Sequence, residues 1–270
     1  MRSADRVLNP VPRATAPRTT RATSRQTPSR SVQVIILAAG MGTRLGRTDP
    51  KPLTKLRDGS SILQRQLDGL REVLGNDVTI TVVVGYRSKR VMKAAPDLLF
   101  AYNPDFAETN TSKSLLRGLR TTREGGVLWL NGDVVFDPAV IELALPSMAA
   151  DQSFVCVDTS TVADEEVKYT LDADGYVQEL SKTVVGGLGE AVGINFVSSA
   201  DKATLIDHLA ACGDQDYFER GIETAIATEG LRVRPVDISQ YSAVEVDFET
   251  DLARANSLFP ASGNTVADVG

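Results

Sequence analysis

The apolar run VQVIILAAG at residues 32–40 constrains the fold of this 270-residue chain more than any other stretch. Its hydrophobic residues are consecutive rather than alternating, which is typical of a central parallel strand whose two faces are both covered. Such a strand needs neighbouring strands and a helical layer on each side. The run therefore predicts a sheet buried between helices.

Strand-like and helix-like segments alternate after this run. SSILQRQLDGLREVLG at residues 60–75 has apolar residues at helical spacing, with Ser61 and Gln64 as a predicted capping box and Gly75 as a stop. VTITVVVG and GVLWLNGD are further buried strands, and SKSLLRGLR is a short helix. The alternation predicts a three-layer, Rossmann-like α/β domain with a mostly parallel sheet.

The segment VKYTLDADGYVQEL at residues 167–180 interrupts this alternation. Apolar and polar residues alternate on both sides of a D-G turn, which predicts an inserted antiparallel hairpin. AVGINFV returns to a buried strand, two helices follow near residues 200–211 and 215–228, and LRVRPVDI and AVEVD are closing strands before a last helix in ETDLARANSLF. No linker divides residues 31–260, so we expect one domain there.

The two ends of the chain differ from this domain in composition. Residues 1–30 hold seven arginines and one acid among many Ser, Thr and Pro residues, which predicts a disordered leader. In composition the leader resembles an organellar transit peptide, and a bacterial disordered arm or a start codon assigned too far upstream are the alternatives. Residues 261–270 predict a disordered polar tail.

Charge and cysteine content exclude several classes of protein. Without the leader, the 29 basic and 35 acidic residues of the chain become 22 and 34, a net charge of about −12 that argues against general nucleic-acid binding. No apolar stretch approaches the roughly 20 residues of a membrane helix. Two distant cysteines do not indicate a disulfide framework. We therefore expect a soluble, cytoplasmic protein.

A glycine loop, GMGTRLG at residues 40–46, follows the first strand. Open α/β sheets bind ligands at the carboxyl ends of their strands, and Gly40 and Gly42 let backbone N–H groups approach a polyphosphate. Arg44 adds a planar fork for phosphate oxygens. The loop is not a dinucleotide fingerprint, because Leu45 stands where a glycine is required, and it lacks the G-K-[ST] of a P-loop.

Together with PKPL at residues 50–53, LAAGMGTRLG resembles the signature of the pyrophosphorylase superfamily of nucleotidyltransferases. These enzymes join a nucleoside triphosphate to a phosphorylated sugar or alcohol. The family pattern G-x-G-x-R-[LM] followed by P-K is matched, and the resemblance extends over residues 33–257. It implies a nucleotide-diphospho-sugar transferase fold and a nucleotidyltransferase domain at residues 31–260.

The resemblance assigns roles to residues of the loop. It implies that Lys51 lies between the α-phosphate and the acceptor phosphate, and that Arg44 holds the departing pyrophosphate. The other residues that it implies for nucleotide binding by the loop are Leu37, Ala39, Gly40, Gly42 and Thr43. No general base is required, because the attacking phosphate oxygen is already ionised.

Mg²⁺ is the cofactor that this chemistry implies, since Mg²⁺ takes carboxylates together with phosphate oxygens and water. Asp133 ends the buried strand of WLNGDVVFD and resembles the family's first metal ligand. Glu245 and Asp247 in VEVDF are two residues apart, so both face the same side of a late strand. We predict Asp133, Asp247 and Glu245 as the metal ligands, with a purely conformational G-D turn as the alternative for Asp133.

The E-x-D arrangement and YNPDFAETNTSKSLLRGLR at residues 102–120 narrow the resemblance to phosphocholine, phosphonate and inositol-phosphate cytidylyltransferases. In these enzymes an N…S-L segment after the third strand helps to seat the pyrimidine. The resemblance implies CTP as the nucleotide, with Asn110, Thr111 and Ser112 in its pocket. The alternative for these residues is a helix N-cap.

The acceptor is less constrained. Lys182 is placed like the lysine that grips the acceptor phosphate in related enzymes, with a solvated lysine as the alternative, and Glu190 is a candidate partner for an ammonium or hydroxyl group. Phosphocholine enzymes carry a tryptophan just before the E-x-D, which is absent here, so choline is in doubt. Tyr217, Phe218 and Tyr241 could still supply aromatic rings for a quaternary ammonium.

These observations predict Mg²⁺-dependent transfer of a nucleotidyl group, preferably CMP from CTP, to the phosphate or phosphonate of a small metabolite, with release of pyrophosphate. The partners are then an NTP and a phosphorylated acceptor, without nucleic acid or membrane, and a homodimer is left open. The alternatives are a sugar-1-phosphate nucleotidyltransferase using another NTP and a non-catalytic nucleotide-binding regulator. An oxidoreductase is disfavoured by Leu45.

Overall fold

The computed structural model describes residues 32–160, 162 and 166–259. The strands are β1 Gln33–Ala38, β2 Thr79–Val84, β3 Leu99–Tyr102, β4 Val127–Asn131, β5 Val134–Phe136, β6 Phe154–Asp158, β7 Lys168–Leu171, β8 Val177–Ser181, β9 Glu190–Val197, β10 Arg234–Asp237 and β11 Ala243–Glu245. The helices are α1 Ile62–Leu74, α2 Ser88–Ala94, α3 Thr111–Leu119, α4 Ala139–Ala149, α5 Lys202–Ala211, α6 Phe218–Glu229 and α7 Glu249–Leu258.

The main sheet has the strand order β10-β6-β9-β4-β1-β2-β3, and within it β4, β1, β2 and β3 are parallel neighbours. β9 runs antiparallel to both β4 and β6, so it begins at the edge where the parallel strands end. The loops that leave β1 and β4 and the segment that enters β9 therefore meet at one edge. The predicted mostly parallel α/β sheet is confirmed.

Helices cover both faces of this sheet because side chains on successive β1 residues point in opposite directions. Ile35 packs in a core beneath α3, α5 and α6, whereas Val34 and Ile36 pack in a second core beneath α1, α2 and α4. Trp129 is buried in the first core and contacts Phe218 edge-on at 5.6 Å between ring centroids. The apolar run of the sequence is thus the centre of three layers.

The inserted hairpin is also present. β7 and β8 pair antiparallel around the D-G turn, and Lys168 of β7 pairs with Glu190 of β9. This pairing attaches the base of the hairpin to the edge where β9 begins. The hairpin therefore adds residues to the same edge as the glycine loop.

A smaller unit lies beside the main sheet. β11 pairs antiparallel with β5, and α7 follows directly. A third core of buried apolar residues lies beneath α7 and contains Leu45 and Leu56 from the loop region together with Val135, Val244 and Leu252. This core attaches the glycine loop to the last strand and helix of the domain.

Two local predictions differ in detail from the structure. Ser61 caps α1 by accepting the N–H of Gln64 at 3.1 Å, but the side chain of Gln64 donates to Asp68, so only half of the predicted capping box forms. Gly75 ends α1 with a φ of 82°, as the stop signal predicts. The short strands β5 and β11 form a separate two-stranded sheet rather than extending the main one.

The predicted leader at residues 1–30 and tail at residues 261–270 lie outside the described residues. Within the described part of the chain, every helix is too short or too polar to cross a membrane.

Candidate active site

Lys51 occupies the centre of the site, at the start of a single 3₁₀ turn that continues from the glycine loop. Gly42 has a left-handed φ of 58°, and a Cβ atom there would lie 2.6 Å from Cγ of Lys51. Only glycine lets the loop pass this close to the lysine stem. The loop thereby fixes Lys51, whose side chain is 12% exposed.

Lys51 bridges two carboxylates that are far apart in sequence. Its Nζ lies 3.0 Å from Oδ2 of Asp133 and also donates to Oδ1 of Asp247. The second oxygen of Asp247 accepts a hydrogen bond of 2.7 Å from Nη1 of Arg44. Arg44, Lys51, Asp133 and Asp247 therefore form one connected group of charges at the carboxyl edge of the sheet.

The mutual attraction of these charges overrides the effect of burial. Burial by itself lowers the pKa of Lys51, but Asp133 and Asp247 raise it above its ordinary value. Burial likewise raises the pKa of Asp247, whereas Lys51 and Arg44 bring it below the usual range. Lys51 is consequently an ammonium and Asp247 a carboxylate at neutral pH.

Backbone contacts hold the two aspartates beside each other. The N–H of Gly132 donates to the carbonyl of Leu37 at 2.9 Å, and a Cβ on Gly132 would lie 2.5 Å from that oxygen. The carbonyl of Asp133 accepts the N–H of Val246 at 3.0 Å. The turn that carries Asp133 is thus attached to β1 on one side and to the residue before Asp247 on the other.

The buried side chain of Gln66 forms hydrogen bonds to the backbone of the turn that carries Asp133. Nε2 of Gln66, on α1, donates to the carbonyls of Asn131 and Val134 at 2.8 Å each. These two carbonyls flank Gly132 and Asp133. Gln66 is 1% exposed, so its amide spans the turn without competition from solvent.

Glu245 completes a cluster of three carboxylates. One oxygen each of Asp133, Glu245 and Asp247 lie within 4.8 Å of one another, a spacing that fits a shared divalent cation. Burial, followed by the negative charges of Asp133 and Asp247, raises the pKa of Glu245 well above its ordinary value. Three carboxylate oxygens form the kind of all-oxygen ligand set that hard divalent cations such as Mg²⁺ bind.

α7 secures the glycine loop and the late strand. Arg47 forms a forked ion pair with Glu249, with its Nη2 2.8 Å from Oε1. The carboxylate of Asp251 accepts the backbone N–H groups of Asp247 and Phe248 at 3.1 and 2.7 Å. Together these contacts position Arg44 and Asp247 from the helix side.

The loop residues predicted to bind nucleotide divide into two groups. Leu37 and Ala39 are buried, and their carbonyls accept the N–H groups of Gly132 and Tyr86. Gly40 is exposed at the surface of the loop, where a Cβ would have no atom within 4 Å. Nucleotide contacts of these five loop residues stay a prediction, and Gly40, Gly42 and Thr43 are the ones with accessible surface.

The segment predicted to seat the base joins two helix N-termini. Asn110 is the N-cap of α3, and its Oδ1 accepts the N–H of Thr111 at 2.8 Å. Oγ1 of Thr111 accepts the N–H of Phe218, the first residue of α6, at 3.0 Å. Ser112 is completely buried. Asn110 carries the capping role that was the alternative, and contact of the three residues with a base stays a prediction.

Lys182 and Glu190, the residues predicted to bind the acceptor, lie at the end of β8 and the start of β9. Nζ of Lys182, which follows β8, is 5.3 Å from the ring centroid of Tyr217. The hydrogen bond from Arg44 to Asp247, followed by the charge of Asp247, raises the pKa of Arg44. Tyr217 is 42% exposed just before α6. Glu190 begins β9 at the same edge and is half-buried.

Of the three predicted aromatic residues, Tyr217 is the one exposed beside the charged group. Phe218 is 1% exposed in the core beneath α6, and Tyr241 packs against the core beneath α1. The prediction that Phe218 could contribute to an aromatic cage is therefore wrong, because its ring faces Trp129 in the interior. Of the three rings, that of Tyr217 is therefore the one accessible to a cation, and Nζ of Lys182 already lies over it.

A model of the MobA-like NTP transferase domain matches residues 34–225, which is more than two thirds of the chain. The matched region includes the glycine loop, Lys51, Asp133 and the segment around Tyr217.

This chain belongs to the MobA-like NTP transferase domain family.

Two comparisons place the chain beside cytidine-using members of this type. It is 29% identical over 268 residues to the CMP-5'-(3-aminopropyl)phosphonate synthase of Streptomyces rubellomurinus, covering 84% of this chain and 39% of that protein. Its fold resembles the inositol-1-phosphate CTP transferase of T. maritima, with a TM-score of 0.71 at 18% identity over 88% of this chain and 98% of the other.

The fold is shared with sugar nucleotide enzymes as well. The structure of UDP-glucose pyrophosphorylase with UDP-glucose matches with a TM-score of 0.67 at 13% identity, covering 84% of this chain and 97% of that one. At such identities the likeness establishes the fold alone. The chain spans about two fifths of the length of the phosphonate synthase, so that protein's whole activity does not transfer with the domain.

The sequence did not indicate the hydrogen bonds of Gln66, the burial of Glu219 or the ion pair between Arg47 and Glu249. Gln66 looks like a polar member of an amphipathic helix, and its burial at 1% exposure becomes evident only when α1 packs against the turn after β4. Glu219 lies in YFER among other charged residues, where no spacing distinguishes it. The pairing of these side chains depends on contacts between distant elements.

Proposed function

We propose that this NTP transferase domain is a Mg²⁺-dependent cytidylyltransferase that transfers CMP from CTP to the phosphate or phosphonate of a small metabolite and releases pyrophosphate. The single observation that supports it most is Lys51, 3.0 Å from Asp133 and bonded to Asp247 at the carboxyl edge of the sheet. A cation held at this depth by two carboxylates is suited to hold phosphate oxygens in an otherwise acidic domain.

The reaction needs two anions to be brought together. An ionised oxygen of the acceptor attacks the α-phosphorus of CTP, and the bond between that phosphorus and the bridging oxygen breaks, so pyrophosphate leaves with the electron pair. No proton has to be removed from the attacking oxygen. The work of the protein is therefore positioning and neutralisation of charge, to which Lys51 and Arg44 contribute.

In this proposal Lys51 contacts the α-phosphate and the acceptor, and Arg44 contacts the departing pyrophosphate. Arg44 is suited to that role because its side chain is 56% exposed and its planar fork reaches over the loop. Asp247 holds both cations before substrate binds. Exchange of these ion pairs for phosphate contacts keeps each charge partnered.

Asp133, Glu245 and Asp247 would hold the Mg²⁺ ion, because their oxygens converge within 4.8 Å. When bound, the ion supplies Lewis-acid neutralisation of phosphate oxygens. Gln66 and the N–H of Val246 hold Asp133 in the turn, and Asp251 holds the backbone of Asp247. The protein's contribution is thus a preformed set of carboxylates.

The preference for CTP and a small acceptor draws on the relatives. The phosphonate synthase is named for a CMP-linked phosphonate, and the T. maritima protein for CTP and inositol-1-phosphate. The segment after β3 also carries the N…S-L arrangement of such enzymes. A sugar-1-phosphate nucleotidyltransferase with another NTP is the second candidate, because the UDP-glucose pyrophosphorylase shares the fold at a TM-score of 0.67.

Pyrophosphate release tests the proposal. The purified chain is incubated with Mg²⁺, each of the four common NTPs and a panel of phosphonates, phosphorylated alcohols and sugar 1-phosphates. The proposal expects release with CTP and a small phosphonate or phosphate. Release with UTP and a sugar 1-phosphate would favour the second candidate, and no release with any pair would favour a non-catalytic nucleotide-binding protein.

A further inference from the structure

The acceptor end of the site contains a buried acid that the proposed chemistry does not use. Glu219 is the second residue of α6, two positions after Tyr217, and it is 8% exposed. Its Oε2 makes no hydrogen bond within the described part of the chain. A buried carboxyl group with one oxygen that lacks a hydrogen bond costs free energy, which the N-terminus of α6 offsets only in part.

Glu219 lies at the edge that carries the catalytic centre. α6 begins there because Oγ1 of Thr111 accepts the N–H of Phe218 at 3.0 Å, and α3 starts at the carboxyl end of the parallel strands. Nζ of Lys182 lies 5.3 Å from the ring centroid of Tyr217, two residues before Glu219. Glu219 therefore begins α6 next to the exposed residues Tyr217 and Lys182.

A second buried polar atom lies at the start of α3, which contacts the start of α6. Oγ of Ser112 is without a hydrogen bond among the described residues, and the backbone N–H of Ser112 donates to Asp216 at 3.3 Å, just before α6. Ser112 is 0% exposed. The starts of α3 and α6 thus each carry a buried polar atom that has no hydrogen bond among the described residues.

We propose that Glu219 binds the ammonium group of an amino-substituted phosphonate or phosphate acceptor whose anionic end lies at Lys51. This inference rests on the proposed function and specifies its substrate class. The carboxylate would repel a second anion, and a hydroxyl would leave its charge uncompensated. An ammonium group both pairs with the charge and donates to Oε2.

Lys182 does not already fill this role. Its side chain is exposed, and its Nζ lies over the Tyr217 ring at 5.3 Å instead of forming an ion pair with Glu219. Lys182 is therefore available to the anionic end of the acceptor. In this proposal a zwitterionic acceptor offers its anionic group to Lys51 and Lys182 and its ammonium group to Glu219, whereas a simple phosphate ester has no group for Glu219.

The test compares two acceptors that differ by one amino group. kcat/KM is measured with CTP and Mg²⁺ for 3-aminopropylphosphonate and for propylphosphonate, in the wild type, Glu219→Gln and Glu223→Gln. Glu223 is the matched control, because it lies one turn further along α6 and its carboxylate accepts from Leu180 and Arg220. Gln keeps the shape of Glu219 and removes its charge, so thermal unfolding checks that the variant folds.

We expect the wild type to prefer the amino compound, and Glu219→Gln to lower kcat/KM for that compound by roughly 10- to 100-fold while changing propylphosphonate by less than about threefold. Glu223→Gln should retain the preference. An equal loss for both acceptors, or no loss, in a folded Glu219→Gln variant would overturn the inference.

A separate titration distinguishes failure of this inference from failure of the proposed function. If no acceptor supports pyrophosphate release by the wild type, the proposed transfer is wrong, and calorimetric binding of the two phosphonates still decides the role of Glu219. Tighter binding of the amino compound that is lost in Glu219→Gln would support an ammonium site. Equal affinities for the two phosphonates would overturn it.

Discussion

Carboxyl groups have opposite surroundings in two regions of the molecule: the phosphate centre, formed by Arg44, Lys51, Asp133 and Asp247, and the start of α6. At the phosphate centre, Lys51 and Arg44 hold the carboxylates Asp133 and Asp247 in direct ion pairs. At the start of α6, Glu219 is buried with one oxygen unpartnered. Paired charges can be exchanged for the phosphates of many substrates, whereas a buried carboxyl group with one unsatisfied oxygen favours one complementary partner. The first region is suited to the shared chemistry and the second to the choice of acceptor.

Lys51→Ala should have the largest effect. It removes the cation between two carboxylates and leaves the substrate anions without neutralisation, so we expect turnover to fall by about three powers of ten. Circular dichroism should show an intact fold. The control is Lys55→Ala, because Lys55 is exposed and donates only to the carbonyl of Gly59. Near wild-type turnover in Lys51→Ala would remove the basis of the proposed function.

Asp247→Asn should weaken the same centre less severely. One carboxylate oxygen from the cluster of three is replaced by an amide, so we expect about a 100-fold loss of divalent-cation affinity and of kcat. Binding of Mn²⁺ can be followed by electron paramagnetic resonance. Glu142→Gln, an exposed acid on α4, removes the same charge elsewhere. Unchanged Mn²⁺ affinity in Asp247→Asn would contradict the assignment of the metal ligands.

Gln66→Leu tests whether the turn that carries Asp133 must be braced. The variant leaves the carbonyls of Asn131 and Val134 without their donor, so we expect about a tenfold loss of Mn²⁺ affinity and about 1–3 kcal/mol of stability. Gln64→Leu on the exposed side of α1 is the matched control. A variant that loses stability while keeping full Mn²⁺ affinity would show that Gln66 supports the fold and not Asp133.

At the start of α6 we expect the stability of the folded protein to depend on pH through Glu219. Burial raises the pKa of Glu219 to about 7 from an ordinary 4.5, with its own backbone N–H and Lys182 opposing the increase. Between these two pH values the folded protein binds more protons than the unfolded one, so its stability falls as pH rises and levels off above about 7. Relative to Glu219→Gln, the wild type should lose at most a few kcal/mol between pH 5 and pH 8.

Urea unfolding of the wild type and Glu219→Gln at a series of pH values measures this difference. A stability difference that stays constant from pH 5 to pH 8 would show that the carboxyl of Glu219 is not desolvated. The same result would weaken the contrast between the two regions.

The parts of the molecule that could be predicted from sequence are those with local signals. The apolar run of β1 and the alternation along the hairpin depend on period and burial, and both features are present where they were expected. The convergence of Asp133 and Asp247 was implied by the family resemblance, and β11 brings it about by pairing with β5, which follows Asp133. The motif that contains Lys51 indicated the nucleotidyltransferase family, which the domain match confirms.

Other features depend on which surfaces meet, and no local pattern encodes them. Phe218 looks like an available aromatic residue beside Tyr217, but the first turn of α6 points it into the core. Asn110 and Thr111 also join the starts of α3 and α6 through their polar atoms, while their contact with a base stays a prediction. Glu219 acquires its unusual state only through burial against neighbouring elements.

Phosphorus NMR of a reaction containing CTP, 3-aminopropylphosphonate, Mg²⁺ and the purified chain tests the central claim most directly. The proposed transfer predicts a new pair of coupled signals from a phosphonate joined to the α-phosphorus of CMP, in amounts equal to the pyrophosphate formed. Unchanged CTP, or hydrolysis to CMP without a coupled phosphonate signal, would contradict the claim.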